Sequence, residues 1–378
     1  MTSIERKEIR YQRRKNKRIQ RKQRFQNSLL SYSEIFTFHN LYKAFKLCKN
    51  GVMWKSSMQS YESNLLINIS DLYTRLNNHT YKSKGFHHFT INERGKLRHI
   101  RSVNIDERIV QRCLCDNFLI PLLRYNLIYD NGATLKGKGT DFTISRLKKH
   151  LHEYSAKNGK DGYIITFDFS DYFNSIKHNK IYKKLDTLIE DENTKNLVHH
   201  LVDNFGDNGL GLGSQISQII AVAFPNELDH MFKDQLGVKY YGRYMDDGYI
   251  ICDSKSKAKF YINVLYKICN KHEIQINERK IHVSKISKPF TLLKKKIFVD
   301  DNCKIVIKVI RKNITRERQK LKKYKKKMTD GSMSYKEIEN AYKSWKGNIR
   351  KYNSYHIIKN MDKLFNDLFI KDWRIVYE

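Results

Sequence analysis

The sequence predicts an α+β chain, on three observations. Apolar residues recur at helical spacing on both flanks, a short run of β-formers occupies the middle, and a second β-prone block folds back around an acidic tip. The 378 residues are 40% hydrophobic, enough to bury a sizeable core, and the length suits one multi-lobed unit or two to three subdomains.

Charge narrows the partners. Lys and Arg number 73 against 39 Asp and Glu, a formal charge of +34. A globular chain with that excess repels itself unless a polyanion neutralises it. Nucleic acid is the leading partner, because each neutralised phosphate releases condensed counterions. An anionic membrane surface is the rival, but no apolar stretch reaches about 18 residues and no signal segment opens the chain. The expectation is a cytoplasmic protein with no membrane partner. The six cysteines, Cys48, Cys113, Cys115, Cys252, Cys269 and Cys303, form no CxxC pair and predict buried or half-buried thiols. His87–His88 and His199–His200 are likewise expected to be structural.

Only three prolines occur, so organisation is read from charge and periodicity. Residues 1–24 are dense in Arg, Lys and Gln, which suits a solvated basic helix or a tail that orders on RNA. Residues 34–78 carry helical spacing, with Leu41, Phe45 and Leu47, then Leu65, Leu66, Ile69 and Leu72. Residues 86–105 predict two extended runs about a turn at Glu93-Arg94-Gly95-Lys96. Helical pattern resumes from Glu107 to about Tyr125 and again after Gly139. Tyr163–Phe167 predicts a central strand ending in Asp168. Val238–Tyr244 and Tyr249–Cys252 predict the arms of a hairpin whose tip is Met245-Asp246-Asp247-Gly248. After Arg311 the chain becomes helical and basic, and Tyr335–Phe369 has the spacing of packed helices.

Asp168, Asp246 and Asp247 stand out within this cationic chain. Taken singly, Asp-Asp-Gly reads as a turn and Asp168 as a strand terminator. Brought together in one sheet, three carboxylates repel and raise one another's pKa values. Divalent cations remove that penalty. Mg²⁺ favours a few carboxylate oxygens plus water and substrate phosphates, and two such ions about 3.5–4 Å apart serve phosphoryl transfer.

These residues resemble a known family. Tyr244-Met245-Asp246-Asp247 resembles the YxDD box of reverse transcriptases, and Phe167-Asp168-Phe169-Ser170-Asp171-Tyr172-Phe173 resembles their first palm motif. Gly95–Arg98 followed by Asp106–Gln111 is similar to the fingers signature of group II intron and related enzymes. Asn277 with Lys280 resembles the fourth palm motif, and Ser344-Trp345-Lys346-Gly347 resembles the thumb of diversity-generating retroelement enzymes. The likeness runs in order over about residues 90–370. Two departures mark the subfamily. Leu212-Gly213-Ser214-Gln215-Ile216-Ser217-Gln218 has Leu where group II and retroviral enzymes carry Gln, a form similar to diversity-generating retroelement and antiphage-defence enzymes. Leu292-Leu293-Lys294-Lys295 stands at the primer grip, where Phe-Leu-Gly is common.

The resemblance implies a right-hand polymerase fold with fingers, an antiparallel-sheet palm and a helical thumb. It divides the chain into a basic extension (1–30), fingers (31–160), palm (161–300, with part of 175–235 packing on the fingers) and thumb (301–378). No endonuclease, maturase or RNase H segment is expected. Asp168, Asp246 and Asp247 would be catalytic, and with Phe169 would form the metal set for two Mg²⁺, with Mn²⁺ as an alternative. Lys96 and Arg98 would hold the triphosphate, with Asp171, Gly213 and Gln218 also facing the nucleotide. Phe173 would exclude a 2′-hydroxyl, and Lys280 would protonate or neutralise the pyrophosphate. Arg316, Lys320, Lys323, Lys326 and Trp345 would track the nucleic-acid backbone. The implied partners are an RNA template, expected to be a dedicated noncoding RNA, deoxynucleotides and a cDNA product, with an accessory protein or homo-oligomer left open. The expected reaction is RNA-templated DNA synthesis in antiphage defence. A diversification enzyme, a weakly templated or homopolymer synthase, an RNA-dependent RNA polymerase and a non-catalytic RNA-binding protein stay as alternatives.

Overall fold

A computed structural model describes residues 2–93 and 95–370. Arg94 of the expected turn and the last eight residues of the expected thumb lie outside the described residues. The first elements are α1 (Ser3–Gln26), α2 (Tyr32–Ile35), α3 (Phe38–Cys48), α4 (Ser56–Ser63) and α5 (Leu65–Asn77), then the hairpin β1 (Phe86–Glu93) and β2 (Lys96–Val103). A continuous helical run follows as α6 (Ile105–Leu114), a π-turn at Cys115–Leu119, and α7 (Ile120–Tyr125). Next come α8 (Thr140–Asn158), β3 (Tyr163–Phe167), α9 (Tyr172–Ser175), α10 (His178–Leu185), α11 (Glu192–Asp203), α12 (Gln215–Ala223) and α13 (Asn226–His230). The last part holds β4 (Tyr241–Tyr244), β5 (Asp247–Cys252), α14 (Lys255–Lys271), β6 (His282–Lys285), β7 (Phe290–Leu292), β8 (Lys295–Val299), β9 (Ile305–Val309), α15 (Arg311–Thr329), α16 (Tyr335–Ile349) and α17 (Tyr355–Phe369).

Two compact units emerge. The first comprises Met1–Gly137, Phe169–Leu236 and Leu265–Ile276. Its core is helical, with Leu41, Phe45, Ile69, Leu72 and Ile109 fully buried where α3 packs on α5 and α6. Two expected core positions, Leu47 and Leu66, are 40% and 66% exposed. At 100° per residue each lies about 60° around its helix from the nearest buried position, just off the edge of the buried stripe.

The second unit comprises Lys138–Asp168, Gly237–Val264 and Asn277–Glu378. Its main sheet is antiparallel in the order β4-β5-β3-β6, so Tyr163–Phe167 is central as expected. Ile164, Ile165 and Phe167 of β3 are buried. Side chains of α8, β3 and β5 share one core with β7, β8 and β9, which form a second antiparallel sheet. That second sheet was not foreseen. Its ladder β8–β9 crosses residue 300, where the palm and thumb were expected to meet. Helices α15, α16 and α17 close on a separate cluster of Leu321, Ile338, Tyr342, Met361 and Phe365.

The acidic hairpin is tighter than its sequence implies. Tyr244 pairs with Asp247, leaving Met245 and Asp246 as the two-residue loop. The first arm starts at Tyr241 rather than Val238, and Gly248 lies in β5, not in the turn. Gly248 faces Phe167 of β3, and a Cβ there would run into that ring. Among the described residues, no helix is long and apolar enough to cross a membrane.

Candidate two-metal site and candidate nucleotide loop

Three segments of the second unit build the acidic site. The buried strand β3 delivers Asp168, 7% exposed, at its end. The β4–β5 hairpin delivers Asp246 and Asp247, and its loop holds Met245 at φ +52, a left-handed value that costs a non-glycine residue energy. Arg243 secures that loop. Its guanidinium is fully buried and donates from Nη1 to the Met245 carbonyl at 2.7 Å. The third segment follows Asn277, whose N–H donates to the Asp168 carbonyl at 2.9 Å. A short 3₁₀ turn, Glu278–Lys280, then carries Lys280 Nζ to 2.7 Å from Asp168 Oδ2.

The charges explain one another. Burial, and then the charges of Asp246 and Asp168, push the Asp247 carboxyl up to about 7, and it shares a hydrogen bond with Asp168. Burial and the Asp168 charge raise Asp246 as well, opposed by Lys280 and Arg243. Burial works against the Lys280 ammonium, but the hydrogen bond to Asp168 and the nearby Asp247 and Asp246 outweigh it and leave its pKa above the ordinary lysine value. Lys280 is therefore charged at neutral pH.

This donor set suits a hard divalent cation. The carboxylates crowd each other until one retains a proton near neutrality, so added positive charge is favoured there. Among the described residues, no three or more His, Cys, Asp and Glu side chains are already gathered as a metal cage. A Mg²⁺-type ion needs only one or two carboxylates, since water and substrate phosphates complete its shell. Phe169, expected in the metal set, has its ring buried 5.2 Å from that of Tyr172. A metal role would therefore fall to its main-chain carbonyl rather than to its ring.

A pH dependence follows. The folded state binds the Asp247 proton more tightly than the unfolded chain, whose carboxyl titrates near 4. The metal-free protein should lose stability as pH rises from about 4 to about 7, and the cost is complete above that window. Asp247→Asn should therefore melt a few degrees above wild type at pH 8 in a chelator, since about 1 kcal/mol moves Tm by roughly 2–4 °C. The gap should close towards pH 4. Equal melting at pH 8 would rule out the crowding.

Apart from Lys280, the residues expected to face the nucleotide belong to the first unit. Gly213 has φ +106 and opens the loop before α12, where an added Cβ would touch Ile100 Cγ2 at 3.4 Å. Leu212 accepts from the Arg101 N–H at 3.3 Å, which ties this loop to β2. Ser214 Oγ donates to Gln111 Oε1 at 2.8 Å, and the Gln215 N–H reaches the same oxygen at 3.2 Å. Gln111 Nε2 in turn donates to Glu107 at 3.0 Å. The Asp106–Gln111 segment thus positions the loop from beneath, a task that sequence reading did not assign to it. Phe173 is half-buried on α9, and its carbonyl accepts from Leu210 N–H at 2.6 Å, so the same loop runs past it. Asp171 is exposed at φ +43 and accepts from Asn174 Nδ2, and Gln218 is exposed on α12.

Two expectations, Arg98 and Trp345, meet competing contacts. Arg98 Nε lies 2.6 Å from Glu93 Oε2 on the facing strand, an ion pair without hydrogen-bond geometry that a triphosphate would have to displace. Lys96 pairs with Glu93 at the start of β2, and its side chain lies outside the described residues. Trp345 is half-buried against the α15–α17 core and stacks on Tyr342 at 5.8 Å. Its ring therefore serves helix packing. Arg316 and Lys320 are half-buried on α15, with Lys320 Nζ 5.2 Å over the Tyr324 ring, while Lys323 and Lys326 are exposed. The primer-grip stretch forms the β7–β8 turn, with Leu293 and Lys294 both left-handed at φ +47 and +61. That is the signature of a type I′ turn, usually marked by Asn or Gly.

Residues 82–297, more than half of the chain, match the model of the family described as reverse transcriptase (RNA-dependent DNA polymerase). Among solved structures, the chain is similar to telomerase from Candida albicans in complex with a fragment of telomeric RNA, at 12% identity and TM-score 0.49, covering 76% of this chain and 54% of that one. It is also similar to apo telomerase from Candida tropicalis truncated from its C-terminal domain, at 12% identity and TM-score 0.46, covering 60% and 55%. The chain spans about half the length of these structures. No curated protein matches significantly.

Proposed function

The chain belongs to the reverse transcriptase family, RNA-directed DNA polymerases with a right-hand α+β polymerase fold, and we propose that it copies a dedicated noncoding RNA into DNA. The observation that carries this reading is the meeting of Asp168, Asp246 and Asp247 beside Lys280 at one end of the β4-β5-β3-β6 sheet. Reverse transcriptases use divalent metals, and Asp168, Asp246 and Asp247 with the Phe169 carbonyl would hold two Mg²⁺ here. Bound there, the ions would activate the primer 3′-hydroxyl and stabilise the leaving oxygen.

The chain's own residues supply the rest. Lys280, held charged, neutralises or protonates the pyrophosphate once substrate draws it from Asp168. Arg98 exchanges Glu93 for the triphosphate, which its forked guanidinium fits. Gly213 admits the base pair close to the backbone, and Phe173 fills the space a 2′-hydroxyl would need. Lys323 and Lys326, with Arg316 and Lys320 beside them, meet the duplex backbone without reading sequence. We assign residues 1–30 to a basic extension, 31–160 to fingers, 161–300 to palm, with part of 175–235 grouped with the fingers, and 301–378 to thumb, the β8–β9 ladder joining palm to thumb.

Primer extension tests this reading. With Mg²⁺, an RNA template and four deoxynucleotides, products should match the template. Synthesis from one deoxynucleotide without RNA would replace this reading with a homopolymer synthase, and ribonucleotide products would indicate an RNA polymerase. We place the enzyme in the cytoplasm and in antiphage defence rather than target-gene diversification, on the departure at Leu292–Lys295. A structured noncoding RNA within a defence island supports this, and a template repeat beside a variable target overturns it.

Leu212 bears on accuracy. Its side chain offers no hydrogen bond where related enzymes carry Gln. One lost polar contact of about 1 kcal/mol corresponds to roughly fivefold in discrimination. Leu212→Gln should lower misincorporation on a defined RNA template by about that factor. A wild-type error rate equal to that of Gln-bearing enzymes would remove Leu212 as the cause.

A further inference from the structure

Helix α1 separates its charges by face. At 100° per residue, its eleven Lys and Arg fall within an arc of about 200°. The remaining arc carries Glu5, Glu8, Ile9, Gln12, Asn16, Ile19, Gln20, Gln23 and Gln26, and no cation. Two ridges at i,i+4 spacing run along the basic arc, Arg6-Arg10-Arg14-Arg18-Lys22 and Arg13-Lys17-Arg21. Like charges at that spacing repel and destabilise a helix. Among the described residues, none of these eight cations is ion-paired with a carboxylate, and every described side chain from Thr2 to Arg24 is exposed. Local capping holds the start, through the reciprocal Thr2–Glu5 box. The far end is anchored where Phe25 stacks on Tyr125 at 4.1 Å and Gln26 Nε2 donates to the Leu188 carbonyl at 3.2 Å. The helix is thus a rod about 36 Å long, fixed at one end and charged along one side.

Such a surface fits a polyanion with a regular backbone. Single-strand binders combine charge with aromatic platforms on which bases stack. Here the only aromatics are Tyr11, which is 60% exposed, and Phe25, already stacked on Tyr125. Double-stranded RNA is recognised through its shape and its phosphates, which a rigid row of cations can follow. We propose that α1 is an arm that grips a double-helical stem of RNA through the phosphate backbone, separately from the template and primer. The inference rests on the reverse transcriptase reading only in taking RNA as the polyanion.

The test uses the full chain carrying Arg10→Gln, Arg14→Gln, Lys17→Gln, Arg18→Gln and Arg21→Gln. Glutamine keeps helix propensity close to that of Arg and Lys. The probes are an RNA hairpin with a stem of about 16 base pairs, a single-stranded RNA of equal length, and a short primer on an RNA template. Stem affinity should fall by roughly 100-fold at about 0.1 M salt, and the slope of log affinity against log salt should fall by about 3–4. The loss on single-stranded RNA should be much smaller, and extension of the short primer should keep its kcat and KM. A companion variant, Gln12→Ala with Asn16→Ala and Gln20→Ala, should bind the stem as wild type does. Unchanged stem affinity, an equal loss on single-stranded RNA, an equal loss from the companion variant, or a parallel rise in template–primer KM would each overturn the proposal. A wild-type protein that binds the stem but extends no primer would instead sink the polymerase reading and leave the arm standing.

Discussion

Replacing Asp246 and Asp247 together by alanine should reduce primer extension by at least about 10³-fold, some 4 kcal/mol of transition-state stabilisation. Both carboxylates sit at the β4–β5 turn, close enough to Asp168 for its charge to raise them. Without them, Asp168 is the one carboxylate of the proposed metal set left, and Lys280 already occupies one of its oxygens at 2.7 Å. RNA affinity should be unchanged or slightly higher, because the substitution removes negative charge from a chain of +34. Folding should survive too. The double variant relieves a carboxylate cluster that costs the metal-free protein stability at neutral pH. Three measurements made together separate the outcomes: extension rate, RNA affinity at fixed salt, and melting temperature in chelator. Retained extension in Mg²⁺ would refute the site. Lost extension with lost melting would mean the hairpin had collapsed, and Asp168→Asn would then carry the test.

How much of this site was legible depends on how local its determinants are. Asp168 could be read because Tyr163–Phe167 is a compact run of β-formers with an acid at its end. Asp246 and Asp247 could be read because two β-prone arms flank them. What lay out of reach were contacts between distant segments. Arg243 looks like an ordinary cation in a β arm, and only the fold reveals it fully buried and bonded to the Met245 carbonyl. Gln111 and Ser214 are 103 positions apart, and their bond has no local signal. The β7–β8 hairpin was missed for a different reason. Its turn residues, Leu293 and Lys294, adopt left-handed backbone angles without the Gly or Asn that normally announces them. Its strands are also short, and Lys294-Lys295-Lys296 runs from the turn into β8, so the composition there reads as surface. The family resemblance compensated in part, since it singled out Lys280 although nothing near it in sequence shows the contact with Asp168. It did not foresee that Trp345 would be taken up by helix packing.

Phe173→Val should raise ribonucleotide use by roughly 10–100-fold, measured as the ratio of kcat/KM for a deoxynucleotide to that for its ribonucleotide. The prediction depends on Phe173 being held in place, because a mobile ring could not exclude a hydroxyl. Two anchors hold it. Its carbonyl accepts from the Leu210 N–H at 2.6 Å, and its ring meets that of Tyr172 edge-on at 5.9 Å. Tyr172 is itself buried, with its hydroxyl donating to the Ala221 carbonyl at 2.6 Å. The core contact of α9 therefore belongs to Tyr172, and trimming the half-buried Phe173 should leave the helix in position. Removing ring volume opens space without adding a hydrogen-bond partner, so deoxynucleotide kcat/KM should change little while the ribonucleotide value climbs. Phe173→Tyr should retain the wild-type preference, since the ring that excludes the hydroxyl remains. If Phe173→Val leaves discrimination unchanged while Tm and deoxynucleotide kinetics stay at wild-type values, another residue is the gate.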